Sequence, residues 1–220
     1  MASPRMIAPV KDNTEKYETY RQHISLYNKA MHEGFYLQAI LIDYALLEDR
    51  FRSFLYYMGA FSDRRSIKIN VSQAKEALSQ MVRMYKKTAN KETDSMGVMN
   101  ISGKMKIIRC AVEWAIHAEN ITPDELYCYA LKNGLEGIDQ QEVLCIIEEV
   151  SAWCKYRNEI IHCLLNKNSF AVNEVVQIKA EEGFKLARRL DDQVRALKKD
   201  NLIRKKLRLP VERSKKAKDE

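Results

Sequence analysis

The chain has 220 residues, of which 46% are hydrophobic, and this is enough for one compact domain with a substantial core. Seven Gly and four Pro are few for a fold rich in strands and turns. The five Cys contain no Cys-x-x-Cys pair and are expected to be reduced thiols. No apolar segment is long enough to span a membrane or to act as a secretion signal. The composition therefore argues against a disordered, secreted or membrane-bound chain and predicts a cytoplasmic protein.

The net charge of +7 is concentrated at the C-terminal end. Between residues 198 and 220, ten Lys and Arg residues stand against four acids, and the rest of the chain is nearly neutral. A basic tail can attract RNA or DNA, although it also occurs as a solvated helix end that aids solubility. We therefore treat 200–220 as a basic C-terminal tail, with Lys205, Lys206 and Arg208 as candidate RNA-binding residues.

Apolar residues recur at three- and four-residue steps through most of the chain, as they do on one side of a helix. This periodicity predicts helices over about 13–32, 35–58, 72–89, 104–119, 122–134, 140–165 and 173–199. The second is apolar around much of its circumference, so we expect it at the centre of a bundle, with Tyr44 and its other aromatic residues as packing groups. Residues 90–103 lack the periodicity and are predicted to form a loop.

The predicted fold is therefore an all-α helical bundle, in which an N-terminal helix within 1–33 packs on a helical domain formed by 34–199. Two sequence signals mark helix starts inside that domain. Thr122, with Glu125 three residues later, and Asp139, with Glu142 three residues later, have the spacing of capping boxes.

The chain offers little for metal-dependent or nucleophilic catalysis. Its four His lie on separate segments, without the spacing of a metal site. The adjacent His162 and Cys163 point about 100° apart on a helix, which is poor geometry for a catalytic pair. We therefore expect neither a metal nor another cofactor.

The segment YRNEIIH, residues 156–162, combines Arg157, Asn158 and His162 in an otherwise apolar helix. His titrates near neutral pH and can accept or donate a proton. Arg keeps its charge and binds phosphate through two N–H groups, and the Asn158 amide can orient the ring or the substrate. These groups suit RNA cleavage, because RNA carries its own nucleophile in the 2′-hydroxyl group and needs no metal.

The spacing of these residues raises a geometric difficulty. On a straight helix Asn158 and His162 lie within about 40° of each other, whereas Arg157 and His162 lie about 140° apart. Arg157 reaches the same region only through its long side chain, through a local distortion, or from a second copy of the chain.

The segment Arg157–His162 resembles the R-x4–6-H signature of HEPN domains, a family of helical nucleotide-binding domains. A polar residue directly after the Arg is typical of the members that cleave RNA. Residues 34–55 are similar to the long early helix of that family, which often bears an acid facing the site. The resemblance therefore suggests Glu48 as a supporting acid, with Asp49 as the second choice. Arg64 and Arg65, in the connection after this helix, are further candidates for RNA contact.

The resemblance implies a HEPN-type bundle with additional helices and the activity of a metal-independent endoribonuclease. Such domains form homodimers in which two motifs face one cleft, and their products carry 2′,3′-cyclic phosphate ends. Known members are toxins and phage-defence proteins, so the implied partners are RNA, a second copy of the chain, and an antitoxin or regulatory RNA. Members regulated by nucleotidyltransferases carry Tyr two residues after the His, where this chain has Leu164.

Two other interpretations remain open. In the first, the chain is a non-catalytic HEPN-like module that binds RNA or a nucleotide, with Arg157 holding phosphate and His162 structural. In the second, it is a helical adaptor in which Arg157 pairs with an acid such as Glu48 and His162 is an interior histidine.

Overall fold

The computed structural model describes residues 13–63, 66, 68–85, 100–163 and 169–211, and these segments contain helices and turns but no strand. The eight described helices are α1 (Asn13–His32), α2 (Tyr36–Tyr57), α3 (Ser72–Tyr85), α4 (Ile101–His117), α5 (Leu126–Leu135), α6 (Gln140–Cys163), α7 (Ser169–Lys198) and α8 (Leu202–Lys206). The predicted all-α class is confirmed. No described helix combines the length and the apolar character that crossing a lipid bilayer requires.

Several helices begin at residues other than those predicted. α4 begins three residues earlier, because the Asn100 side chain accepts a hydrogen bond from the Gly103 N–H at 2.8 Å and caps the helix. The predicted capping box at Thr122 is wrong, since residues 122–125 form a turn and α5 begins at Leu126 without a side-chain cap. Residues 90–99 of the predicted loop lie outside the described residues.

Asp139 caps α6 as predicted, and its carboxylate accepts a hydrogen bond from the Glu142 N–H at 2.9 Å. The Glu142 side chain does not close the capping box, because it accepts a hydrogen bond from Arg189 of α7 at 2.7 Å. The Asp139 N–H donates to the Gln193 side chain instead. Glu142, which was expected to complete the capping box, therefore links α6 to α7.

α2 lies at the centre of the bundle and contacts α1, α4 and α7, while α6 packs on α4 and α7. Arg50 of α2 reaches Asp191 of α7 at 2.7 Å, and position 43 lies beside position 183, so these two helices run parallel. Residues 142 and 153 of α6 contact residues 189 and 179 of α7, respectively, so α6 runs antiparallel to both.

Helices α2, α6 and α7 approach one another closely at Gly183. A Cβ atom there would lie 2.7 Å from the Trp153 ring and 2.9 Å from Asp43 Oδ2. Both distances are shorter than van der Waals contact, so the crossing requires a residue without a side chain. Trp153 is buried, and its ring N–H donates to the Lys179 carbonyl oxygen at 2.7 Å.

The segment after α7 packs against the bundle through α8. Arg204 is fully buried and stacks on the Tyr56 ring, with 3.7 Å from the guanidinium carbon to the ring centroid. Its N–H groups donate, at 2.8–3.0 Å, to the carbonyl oxygens of Tyr56, Phe61, Ser62 and Pro210. Arg204 therefore links α8 to the last turn of α2, through Tyr56, and to the segment that follows α2, through Phe61 and Ser62.

Asp43 is buried, and neither of its carboxylate oxygens has a hydrogen-bond partner among the described residues. Burial raises its pKa from 3.8 to about 8. The pKa of Tyr27, on α1, is also raised, by its own burial and by Asp43. The carboxyl group of Asp43 is therefore mostly protonated and neutral at pH 7.

We expect Gly183→Ala to destabilise the fold by about 1–2 kcal/mol, because overpacking against Trp153 and Asp43 outweighs the helix propensity gained from Ala. Equilibrium unfolding in urea measures the loss. Gly137→Ala is the control, since a Cβ atom there meets only the Gly134 carbonyl oxygen at 3.4 Å. Equal stabilities of the two variants would contradict a close crossing at Gly183.

Asp43 should also make the protein less stable as the pH rises. The unfolded chain releases this proton near pH 3.8 and the folded chain only near pH 8, so the free energy of unfolding falls across this interval. Asp43→Asn removes the titration. In paired urea unfolding experiments, its stability relative to the wild type should increase from about pH 5 to about pH 8. A constant difference over this range would show that Asp43 is not neutral in the folded protein.

Candidate functional site

α6 carries the candidate motif and turns its apolar side toward the other helices. Buried side chains recur along it at helical spacing: Val143, Ile146, Ile147, Val150, Trp153, Cys154 and Ile160. Arg157 falls within this stripe, four residues after Trp153 and three before Ile160, and is itself half-buried. The motif arginine therefore faces the bundle.

The Arg157 guanidinium stacks on the ring of Tyr44 in α2, with 3.9 Å between its central carbon and the ring centroid. Its Nη2 donates to Asn158 Oδ1 at 2.5 Å, and its buried Nε–H has no hydrogen-bond partner among the described residues. Burial raises the pKa of Tyr44, Glu48 adds to the rise, and Arg157 opposes it. Tyr44 and Asn158 thus hold the arginine from two sides.

His162 lies on the other side of α6. The helix continues from Gln140 to Cys163, so Arg157 and His162 keep the separation of about 140° that five helical positions give. His162 is exposed, and within the described part of the chain no hydrogen bond joins it to Arg157 or Asn158. A single chain therefore brings Arg157 and Asn158 together but leaves His162 on a different side of α6 from Arg157.

Glu48, the first acidic candidate, is bound to a different cation. The Lys104 ammonium, buried on α4, donates to its carboxylate at 2.7 Å. Glu48 stands one turn after Tyr44 and contributes to that residue's pKa, so it lies near the Arg157 site without pairing with Arg157. The adaptor interpretation, with Arg157 paired to such an acid and His162 interior, does not match these positions.

Asp49, the second acidic candidate, faces α1 and α7. It accepts hydrogen bonds from Lys16 at 2.7 Å and from Arg50, which also reaches Asp191. Burial alone would raise the pKa of Asp49, but Lys16 and Arg50 hold it below its usual value. Because positions 44 and 49 are about 140° apart on α2, this network lies on a different side of the helix from Arg157.

The remaining candidates are basic residues outside α6, namely Arg64, Arg65, Lys205, Lys206 and Arg208. The first two lie outside the described residues. Of the others, Lys205 and Arg208 are exposed, and Lys206 Nζ lies 4.2 Å from the Tyr129 ring centroid. They lie on α8 or directly after it, and α8 packs beside Tyr56. Tyr56 is twelve residues after Tyr44, which corresponds to about 18 Å along α2. One chain does not bring Lys205, Lys206 or Arg208 to Arg157.

A cavity of about 540 Å³ opens between α4 and α6, within the size range of ligand sites. Its wall carries hydroxyl groups and charges of both signs: Ser102, Lys106, Arg109, Glu148, Ser151, Lys155, Tyr156 and Glu159. Arg109 is already paired with Glu113 and Glu148. Lys155 and Glu159 precede His162 by seven and three residues, so the cavity lies on the same side of α6 as His162.

Two residues of this site, Tyr44 and Lys104, were missed by the sequence analysis. Tyr44 was interpreted as a packing group, although its position four residues before Glu48 puts a polar pair on one side of an apolar helix. Lys104 carried no signal, since its burial follows only from the packing of α4 against α2.

The described residues contain no group of His, Cys, Asp and Glu side chains suited to hold a metal ion. Comparisons with protein-family models, with characterised proteins and with solved structures found no match to the chain. The HEPN resemblance therefore depends on the α6 motif and the helical pattern alone.

Proposed function

We propose that the protein is a metal-independent endoribonuclease that uses Arg157, Asn158 and His162. The observation that supports this most directly is the environment of Arg157, which is half-buried against Tyr44 and has no carboxylate partner among the described residues. Partial burial of a cation without a counter-ion costs free energy, and a bound phosphate would offset that cost. RNA supplies both the phosphate and the 2′-hydroxyl nucleophile.

In this proposal His162 transfers protons, either from the attacking 2′-hydroxyl group or to the leaving 5′-oxygen. Arg157 stabilises the charge that develops on the phosphorane. The hydrogen bond from Arg157 to Asn158 gives the amide the task of orienting the arginine. The 2′-oxygen bonds to phosphorus as the 5′-oxygen leaves, so the products are a 2′,3′-cyclic phosphate and a 5′-hydroxyl end.

The site requires two chains in this proposal, because one chain leaves Arg157 and His162 on different sides of a straight helix. Exposed apolar residues flank the Tyr44–Arg157 contact: Leu41, three residues before Tyr44, is 50% exposed, and Ile161, four residues after Arg157, is 39% exposed. Because α2 and α6 run antiparallel, Leu41 and Ile161 lie at the same end of the Tyr44–Arg157 contact. A second copy of the chain would cover them and bring its own motif to the cleft.

The cavity between α4 and α6 supports a path for the RNA substrate. It lies on the His162 side of α6, and its hydroxyl groups and Lys155 can bind phosphate and ribose oxygens. Lys205, Lys206 and Arg208 would then act on more distant phosphates of the same strand.

The HEPN resemblance extends the proposal to a cellular role. We propose a cytoplasmic toxin or phage-defence effector that is held inactive by an antitoxin or a regulatory RNA. Position 164, where a modifiable Tyr would stand in one subfamily, lies outside the described residues.

A second candidate function is a non-catalytic module that binds RNA or a nucleotide. It is favoured by the arrangement of Arg157, Tyr44 and Asn158, which is complete without His162. In such a module, loss of Arg157 weakens binding, whereas loss of His162 changes nothing.

The purified protein, with its activating partner where one is needed, should cleave RNA in the presence of EDTA. We expect His162→Ala to lower the cleavage rate by at least about 100-fold, the usual contribution of a general acid or base. Mass spectrometry of the products should find 2′,3′-cyclic phosphate ends. His117→Ala, which changes an exposed histidine at the end of α4, is the matched control and should cleave normally.

A requirement for added Mg²⁺ would contradict the proposed mechanism. Full cleavage by His162→Ala would remove the proposed role of that residue. RNA binding without cleavage, lost in Arg157→Ala but kept in His162→Ala, would favour the non-catalytic module.

A further inference from the structure

Within the part of the chain that the structure describes, Arg157 has no carboxylate as a counter-ion, although the facing helix α2 carries three acids. Glu48 is bound to Lys104 at 2.7 Å, and Asp49 is bound to Lys16 and Arg50. Asp43 lies toward α7 beside Gly183, without a hydrogen-bond partner among the described residues. None of these carboxylates neutralises Arg157.

The Tyr44 ring takes the place of a counter-ion. A guanidinium 3.9 Å above an aromatic ring is attracted by the negative charge at the ring face. This contact uses the flat face of the guanidinium, whereas its N–H groups point outward in the plane. The ring contact therefore orients Arg157 through the guanidinium face, which a carboxylate does not use, and a hydrogen bond to the Tyr44 side chain adds to it.

We propose that Tyr44 is a positioning residue that holds the Arg157 guanidinium ready to bind an RNA phosphate. The inference depends on the proposed function, because it assigns Tyr44 a task at the same site. It adds a residue outside the α6 motif, on the central helix α2. The ring of Tyr44 is the essential part, and its hydroxyl group is secondary.

Three variants separate positioning from general packing. Tyr44→Phe keeps the ring face, while Tyr44→Leu removes it. Tyr20→Leu is the matched control, because Tyr20 is also half-buried and carries a guanidinium, that of Arg50, 4.7 Å from its ring centroid. Thermal unfolding of each variant verifies that it folds.

With RNA as substrate, Tyr44→Leu should lower kcat about tenfold, the size of one partly desolvated cation–π contact, with a smaller change in KM. Tyr44→Phe and Tyr20→Leu should retain nearly the wild-type kcat. A folded Tyr44→Leu variant with wild-type kcat would overturn the inference, and so would an equal loss in Tyr20→Leu.

A second measurement does not require catalysis. The NMR signal of the Arg157 Nε–H group, assigned by its absence in Arg157→Lys, should be displaced by the Tyr44 ring current. It should also shift on addition of a non-cleavable 2′-deoxy oligonucleotide, and both effects should persist in Tyr44→Phe but not in Tyr44→Leu.

The two measurements distinguish failure of the inference from failure of the proposed function. If the wild type cleaves no RNA, ribonuclease activity is wrong, and the NMR response alone decides the role of Tyr44. An Arg157 signal that responds to the oligonucleotide equally in Tyr44→Leu and the wild type would overturn the positioning role.

Discussion

Helices α2, α6 and α7 can meet closely only because residue 183 has no side chain. The Trp153 ring and the Asp43 carboxyl group occupy the space that a Cβ atom would need. Trp153 lies one turn before Arg157 on α6, and Asp43 is the neighbour of Tyr44 on α2. The crossing at Gly183 therefore fixes the two helices on either side of the Tyr44–Arg157 contact, and with them the environment of the candidate site.

Four buried or half-buried ionisable residues illustrate how differently this fold stabilises polar groups. Arg204 is surrounded by carbonyl oxygens and stacked on Tyr56, and Lys104 has the carboxylate of Glu48. Asp43 has no hydrogen-bond partner among the described residues, and its raised pKa leaves it mostly neutral at pH 7. Arg157 has an aromatic ring and an amide oxygen as its partners.

Helical periodicity was sufficient to predict the all-α class and the positions of most helices, and Asp139 was correctly identified as a cap. The capping box at Thr122 failed because the chain turns there before α5 begins, and no local signal distinguishes the two outcomes. The motif was placed on the correct helix, and the angle between Arg157 and His162 follows from helix geometry alone. The Tyr44–Arg157 contact could not be predicted, since it depends on which side of α2 faces α6. Arg204 lies in a basic run, which normally indicates a solvated surface, and its burial depends on distant carbonyl groups.

The central claim is that Arg157 and His162 act together across two chains. Co-expression of Arg157→Ala and His162→Ala chains with different tags allows heterodimers to be purified. If the Arg157/His162 pair is formed between chains, each heterodimer contains one complete pair. Because one of two symmetric sites is then intact, the heterodimer should cleave RNA at about half the wild-type rate, while each homodimer is inactive. A heterodimer as inactive as the two homodimers would contradict a site shared between chains.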